Sequence, residues 1–180
     1  MRSWNLLFFS LLVTGNFTWA QTCPADLQRS TPNEDFECGN GVSWHTCNPW
    51  SAGDDQVRDN RTGLIWKRCP EGMSFNASTG CSGVSTDLAW QSALITGAIA
   101  WRLPNYKELL SISDTGCFDP AINLSVFPGT PAAGFWSASP SYSLGEIFGK
   151  NADCVDFSWG YSCTALKTLN LKARYVRSEP

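Results

Sequence analysis

Apolar and polar positions first settle into a pattern at Gln56-Val57-Arg58-Asp59, followed by Asn60-Arg61-Thr62-Gly63 and then Leu64-Ile65-Trp66-Lys67-Arg68. Strand, glycine-bearing turn, strand is the signature of a hairpin. Residues 21–55, upstream of it, are rich in Pro, Asn, Gly, Ser and Asp and show neither helical nor alternating periodicity. They read as a loop-rich N-terminal extension. Residues 70–85 form another Gly/Ser/Asn loop. Thr86 is placed to cap a helix from about Asp87 to Ala98, where Asp87 in the first turn complements the helix dipole. Its apolar stripe is Leu88, Ala89, Ala93 and either Leu94 or Ile95. Pro104-Asn105 opens a second short helix, Tyr106 to about Ser113, with Leu109, Leu110 and Ile112 turned inward. Pro120, Pro128, Pro131 and Pro140 then divide the chain into loops and short strands. Phe135-Trp136-Ser137 and Cys154 to Trp159 read as strands, the second with period two, and Gly160-Tyr161-Ser162 reads as a turn. Leu169 to Arg177 closes the chain as a last strand. Two helices followed by short antiparallel strands indicate an α+β domain over residues 56–180.

At 180 residues the chain holds one domain at the usual size of roughly 100–200 residues. The first segment changes the picture of where it works. Arg2, the apolar run Leu6 to Val13 and Thr18-Trp19-Ala20 make residues 1–20 a secretory signal peptide. The run is shorter than the ~20 apolar residues a membrane span needs, and no later segment approaches that length. The eight cysteines, at 23, 38, 47, 69, 81, 117, 154 and 163, are an even number, which in an exported chain favours disulfides. On the order of a hundred pairings are possible. Short-range partners are favoured: Cys69–Cys81, Cys154–Cys163 and Cys38–Cys47, leaving Cys23–Cys117. No Cys-x-x-Cys is present, which counts against a thioredoxin-like site and a zinc ribbon. A net charge of −3 argues against nucleic-acid binding, which leaves a basic footprint.

A set of phrases stands in order along the chain, most of them in its second half. Thr62 to Cys69 (TGLIWKRC) is followed by Trp101 to Leu109 (WRLPNYKEL), Pro120-Ala121-Ile122-Asn123, Phe127-Pro128 and Phe135 to Pro140 (FWSASP). Val155-Asp156-Phe157 with Gly160, and Ala173 to Arg177 (ARYVR), complete it. Together they resemble the C-terminal domain family of the Legionella collagen-like adhesin over about Val57 to Arg177. The resemblance implies an exported bacterial module with a C-type-lectin-like fold: two helices, a small antiparallel sheet and long binding loops, stabilised by disulfides. It also implies adhesion, since the named adhesin binds sulfated polysaccharides and supports attachment and aggregation. The chain carries no Gly-x-y collagen stalk, so the trimerisation that goes with the stalk is not carried over.

Candidate chemistry follows from residue types. Calcium-dependent sugar binding needs Glu-Pro-Asn or Gln-Pro-Asp with a Trp-Asn-Asp ligand set; Leu103-Pro104-Asn105 lacks the carboxylate. The Asp54, Asp55, Asp59 and Asn60 group lacks the spacing of a calcium loop. His45 is the only histidine and has no nucleophile elbow to serve. Asp153 and Asp156, three apart on a strand, face opposite sides, whereas a glycosidase needs two converging carboxyls. No catalytic residue, metal or cofactor is expected. Arg102, Asn105, Lys107 and Glu108 read as structural, with Asn105 capping the helix. Trp66, Trp90, Trp101 and Trp136 read as core. Two features point to ligands. Trp159 and Tyr161 flank the Gly160 turn, where a rigid aromatic stacks on a sugar or anchors a protein. Lys167, Lys172, Arg174 and Arg177 against Glu179 suggest a basic patch for sulfate or carboxylate groups. The expected function is therefore an exported non-enzymatic binding module for a glycan or polyanion, in the periplasm or outside the cell. Trp159, Tyr161, Lys172 and Arg174 are its candidate contacts, and a protein-binding or envelope-assembly role on the same face is the alternative.

Overall fold

The computed structural model describes residues 21–23, 35–47, 51, 53–97, 99–141 and 149–178. The expected signal peptide and Glu179 lie outside the described residues. The elements in chain order are β1 (Phe36–Gly39), β2 (Trp44–Thr46), β3 (Gln56–Asp59), β4 (Leu64–Lys67), β5 (Met73–Asn76), β6 (Gly80–Gly83) and β7 (Leu88–Ala89). Then follow α1 (Trp90–Thr96), α2 (Tyr106–Ser111), β8 (Gly134–Pro140), β9 (Asn151–Asp156), β10 (Tyr161–Leu166), β11 (Asn170–Leu171) and β12 (Val176–Ser178).

The hairpin at residues 56–68 forms as β3–β4, with Gln56 opposite Lys67 and Asp59 opposite Leu64. Asp59 Oδ1 accepts from the Arg61 amide, and Gly63, at φ +67°, supplies the left-handed turn residue. On one side β12 pairs with β4. On the other, β1 pairs with β3 and β2 with β1, giving an antiparallel sheet in the order β12-β4-β3-β1-β2. The segment read as a loop-rich extension therefore supplies two strands of the main sheet. Strands of three or four residues are too short to display an alternation. A second antiparallel sheet has the order β10-β9-β8, and β5–β6 and β7–β11 form two-stranded ladders.

The expected α+β, C-type-lectin-like fold is corrected: the described residues are mostly β, with four separate sheets and two short helices among them. The difference arises in specific segments. The loop at 70–85 carries the β5–β6 hairpin. Leu88 and Ala89, read as helix, instead pair with Leu171 and Asn170, so α1 keeps only seven residues. Ala89 is its N-cap without a side-chain bond, while the Thr86 amide bonds the Glu71 carbonyl. The last strand divides into β11 and β12, because Lys172 leaves the ladder to bridge β8 beside Phe135. α2 is a closer match. Asn105 and Glu108 form a reciprocal capping box, and Arg102 holds the Glu108 carboxylate through two 2.7 Å bonds.

Two apolar clusters make the core. One gathers Phe36, Val57, Trp66, Leu109, Phe127, Phe135, Phe157 and Val176 from both larger sheets and α2. The other gathers Ala93, Leu103, Trp136, Ala152 and Tyr175 under α1. Trp66 and Trp136 are fully buried, and Trp90 and Trp101 are half-buried against the second cluster. All four disulfides join the favoured partners: Cys69–Cys81, Cys154–Cys163, Cys38–Cys47 and Cys23–Cys117.

Candidate functional site

Of the expected basic patch, Arg174 is the largest correction. Its side chain is fully buried, and its Nη1 donates to the carbonyls of Lys67 and Arg68. Nη2 donates to Thr130 Oγ1, and the guanidinium lies 4.8 Å from the Phe127 ring centre. Burial lowers its pKa to about 9. Lys172 is engaged as well: Nζ donates to the Ser85 carbonyl at 2.8 Å and pairs with Asp87 at 2.9 Å, with 15% of the side chain exposed. Lys167 donates to the Gly149 carbonyl and covers Trp90, while Arg177 donates to Gln56 and covers Trp101. These four cations tie the C-terminal segment to its neighbours instead of forming one patch open to an anion.

Trp159 and Tyr161 are placed differently. Asp156 ends β9 earlier than expected: its side chain accepts from the Ser158 amide and its carbonyl from the Gly160 amide. Trp159 therefore sits in the turn, not in a strand. A Cβ on Gly160, at φ +75°, would come within 3.1 Å of Ala121, so glycine lets the turn lie close against the body. Trp159 is 56% exposed and stacks on Phe118 at 5.7 Å with 13° between the rings. Tyr161, 67% exposed, opens β10. Two strand positions later Cys163 faces Cys154, and their disulfide ties β10 to β9.

Beside the turn is a groove of about 490 Å³ that includes Arg61, Tyr106, Asp114, Thr115, Gly160 and Tyr161 in its lining. It adjoins a hollow of about 300 Å³ lined by Tyr106, Asp153, Ser162, Cys163 and Thr164. Tyr106 and Ser162 belong to both. One wall is α2, held at its start by the capping box and by the bond from the Tyr106 amide to Ser139 Oγ. The other wall is β10. Asp114 Oδ1 accepts from the Gly116 amide, which shapes the turn at the groove's end. Arg61 faces Asp35 and Asp59 at 3.5 Å each, so its charge is balanced from behind. The surface thus offers phenol and aliphatic hydroxyls, aromatic faces and carboxylates, without excess positive charge. That set suits hydrogen bonding and stacking with a polar, uncharged ligand.

Tyr106, Asp114, Ser162 and Thr164 were not singled out by the sequence. The alternation of Ser162 and Thr164 along β10 signals only those two, while Tyr106 lies in the WRLPNYKEL phrase. Among the described residues no group of three or more His, Cys, Asp and Glu side chains is arranged to hold a metal, and no helix is long and apolar enough to cross a membrane.

No curated protein and no solved structure matches the chain. The family model of the Lcl C-terminal domain matches residues 55–177, starting one residue before β3 and ending inside β12. With well over half its length matched, the chain belongs to the Lcl C-terminal domain family, an adhesin-like context that together with four disulfides fits an exported protein.

Proposed function

We propose that the protein is a non-enzymatic binding module that holds a neutral glycan along the groove between α2 and β10, with Trp159 and Tyr161 as stacking surfaces. The observation that carries this reading is the pair of exposed aromatics on a disulfide-tied hairpin next to a hydroxyl-rich groove. Phe118 stacks against Trp159 and helps fix its ring, and a rigid ring binds with little entropy loss. The polyanion form of the idea loses its support, because Lys172 and Arg174 already have internal partners.

The test applies the oxidised mature protein to neutral, acidic and sulfated glycans at low and high salt. Binding to neutral sugars that resists salt and drops about tenfold in Trp159→Ala or Tyr161→Ala supports the proposal. Salt-sensitive binding to sulfated chains that survives both substitutions overturns it. Silence across all glycans also overturns it and moves the same aromatic surface to a protein partner, for which exposed Trp and Tyr are equally suited.

A further inference from the structure

A second groove, of about 560 Å³, shares no lining residue with the first. Asp55, Lys67, Glu71, Met73, Phe75 and Trp101 line it. Its frame is tied down on several sides. The Lys67 amide bonds the Tyr175 carbonyl and the Glu71 amide the Ala173 carbonyl, both at 2.9 Å. The Thr86 amide bonds Glu71 at 2.8 Å, and Cys69 in the wall is bridged to Cys81. Gly72, at φ +86°, has Thr86 so close that an added Cβ would stand 2.2 Å from its hydroxyl. The groove is thus preformed.

Two of its charged groups lack direct hydrogen bonds, although the Lys67 ammonium also lies over the Tyr175 ring at 5.4 Å. Lys67 Nζ stands 3.8 Å from Glu71 Oε2, which is an ion pair but longer than a hydrogen bond. Among the described residues neither head group has a hydrogen-bond partner, although their side chains are only 36% and 25% exposed. Half-buried ammonium and carboxylate groups gain most from direct, charge-assisted bonds. Trp101 is already covered by Lys67 at 5.8 Å and Arg177 at 5.4 Å, which leaves little of its face for a sugar. What remains is a close pair of opposite charges, a further carboxylate at Asp55, and an apolar wall of Met73 with Phe75, one face of which lies under Arg68 at 4.6 Å.

We propose that this groove binds a free apolar α-amino acid in its zwitterionic form. The ligand carboxylate accepts from Lys67, its ammonium donates to Glu71 and Asp55, and its side chain lies on Met73 and Phe75. The ligand's carboxylate and ammonium match the Lys67 ammonium and the Glu71 carboxylate, and the zwitterion itself brings no net charge into the groove.

The experiment titrates the isotope-labelled, oxidised mature protein with leucine, leucinamide, N-acetyl-leucine and leucyl-leucine, reading the Glu71 and Gly72 amide resonances. Saturable shifts are expected with leucine, and weaker binding with leucyl-leucine, whose ammonium and carboxylate stand on different residues. Leucinamide lacks the carboxylate and N-acetyl-leucine the ammonium, so each is expected to bind about tenfold more weakly than leucine. Lys67→Gln and Glu71→Gln are expected to weaken leucine by a similar factor while distant resonances hold their positions. Trp159→Ala is expected to leave these shifts unchanged, which separates this site from the aromatic groove. Absence of saturable shifts with leucine, or equal affinity for the blocked ligands or for leucyl-leucine, overturns the proposal.

Discussion

At the scale of single residues, cations decide more of the structure than their sequence context suggests. Arg174 and Arg68 sit together in the interior, each bonded to backbone carbonyls and each lying over a phenylalanine ring. Arg68 reaches the carbonyls of Val126, Asp54 and Ser125, so it fastens the chain before β3 to the loop after α2. Arg174→Ala removes donors from two carbonyls and a hydroxyl, and is expected to lower unfolding stability by about 3 kcal/mol. Chemical denaturation measures it; an unchanged midpoint would contradict the internal placement. His45 supplies a pH-dependent element. Its Nδ1 faces the Thr46 carbonyl and its Nε2 faces Asp54, both at 2.8 Å, so the protonated ring satisfies both acceptors. The Thr46 carbonyl first, and then the Asp54 carboxylate, raise its pKa above 6.5, against burial and the nearby Arg68 charge. Because the folded value is the higher, this stabilisation is complete below the unfolded pKa and is lost as pH rises through the folded one. The ring is 39% exposed, so screening keeps the effect small. The melting-temperature gap between the parent protein and His45→Gln is expected to be larger at about pH 5.5 than at about pH 8.5. A gap that is constant or grows with pH contradicts the assignment.

At the scale of elements, the clearest expectations rested on local chemistry. The Asn105–Glu108 capping box is written in four consecutive residues, so α2 was legible to within two residues of its end. Asn105→Ala is expected to cost about 1 kcal/mol in a melting experiment. Since α2 forms a wall of the aromatic groove, the same change is expected to weaken ligand binding at Tyr106. The β3–β4 hairpin was legible for a similar reason: its turn glycine and flanking apolar runs are contiguous. The β9–β10 hairpin was half legible. Period two marked β9, but nothing local showed that Asp156 would end it or that Tyr161 begins a strand. Long-range pairing decided the rest. Leu88-Ala89 has an apolar stripe compatible with a helix, and only Asn170-Leu171, far along the chain, makes it a strand. Phe36 to Gly39 forms a strand because β3 offers it an edge. Removing the cross-strand disulfide with Cys154→Ala and Cys163→Ala is expected to cost about 2–3 kcal/mol, read by denaturation under oxidising conditions.

At the scale of the whole molecule, the family was legible from ordered phrases, whereas the architecture implied by them was not. Those phrases map to structural positions: Trp66 and Trp136 are core, Arg174 and Tyr175 are internal, and Arg102, Asn105 and Glu108 fix a helix end. Most of these describe the frame, while Tyr106 and Lys67, from the same phrases, also line the two grooves. Exposure, which the sequence leaves open, is found in the structure at Trp159 and Tyr161. The site was misread where charge was taken as exposure, because Lys and Arg look alike in sequence whether they meet solvent or a buried carbonyl. What emerges is a small disulfide-tied β scaffold that uses its C-terminal cations internally and presents aromatics and hydroxyls outward. The most direct test of that account is the affinity for a neutral oligosaccharide, measured for the parent protein and Trp159→Ala at low and at high salt. The account predicts an affinity that salt leaves unchanged and that falls about tenfold on losing the ring. Binding that weakens steeply with salt, or that is indifferent to Trp159, would contradict it.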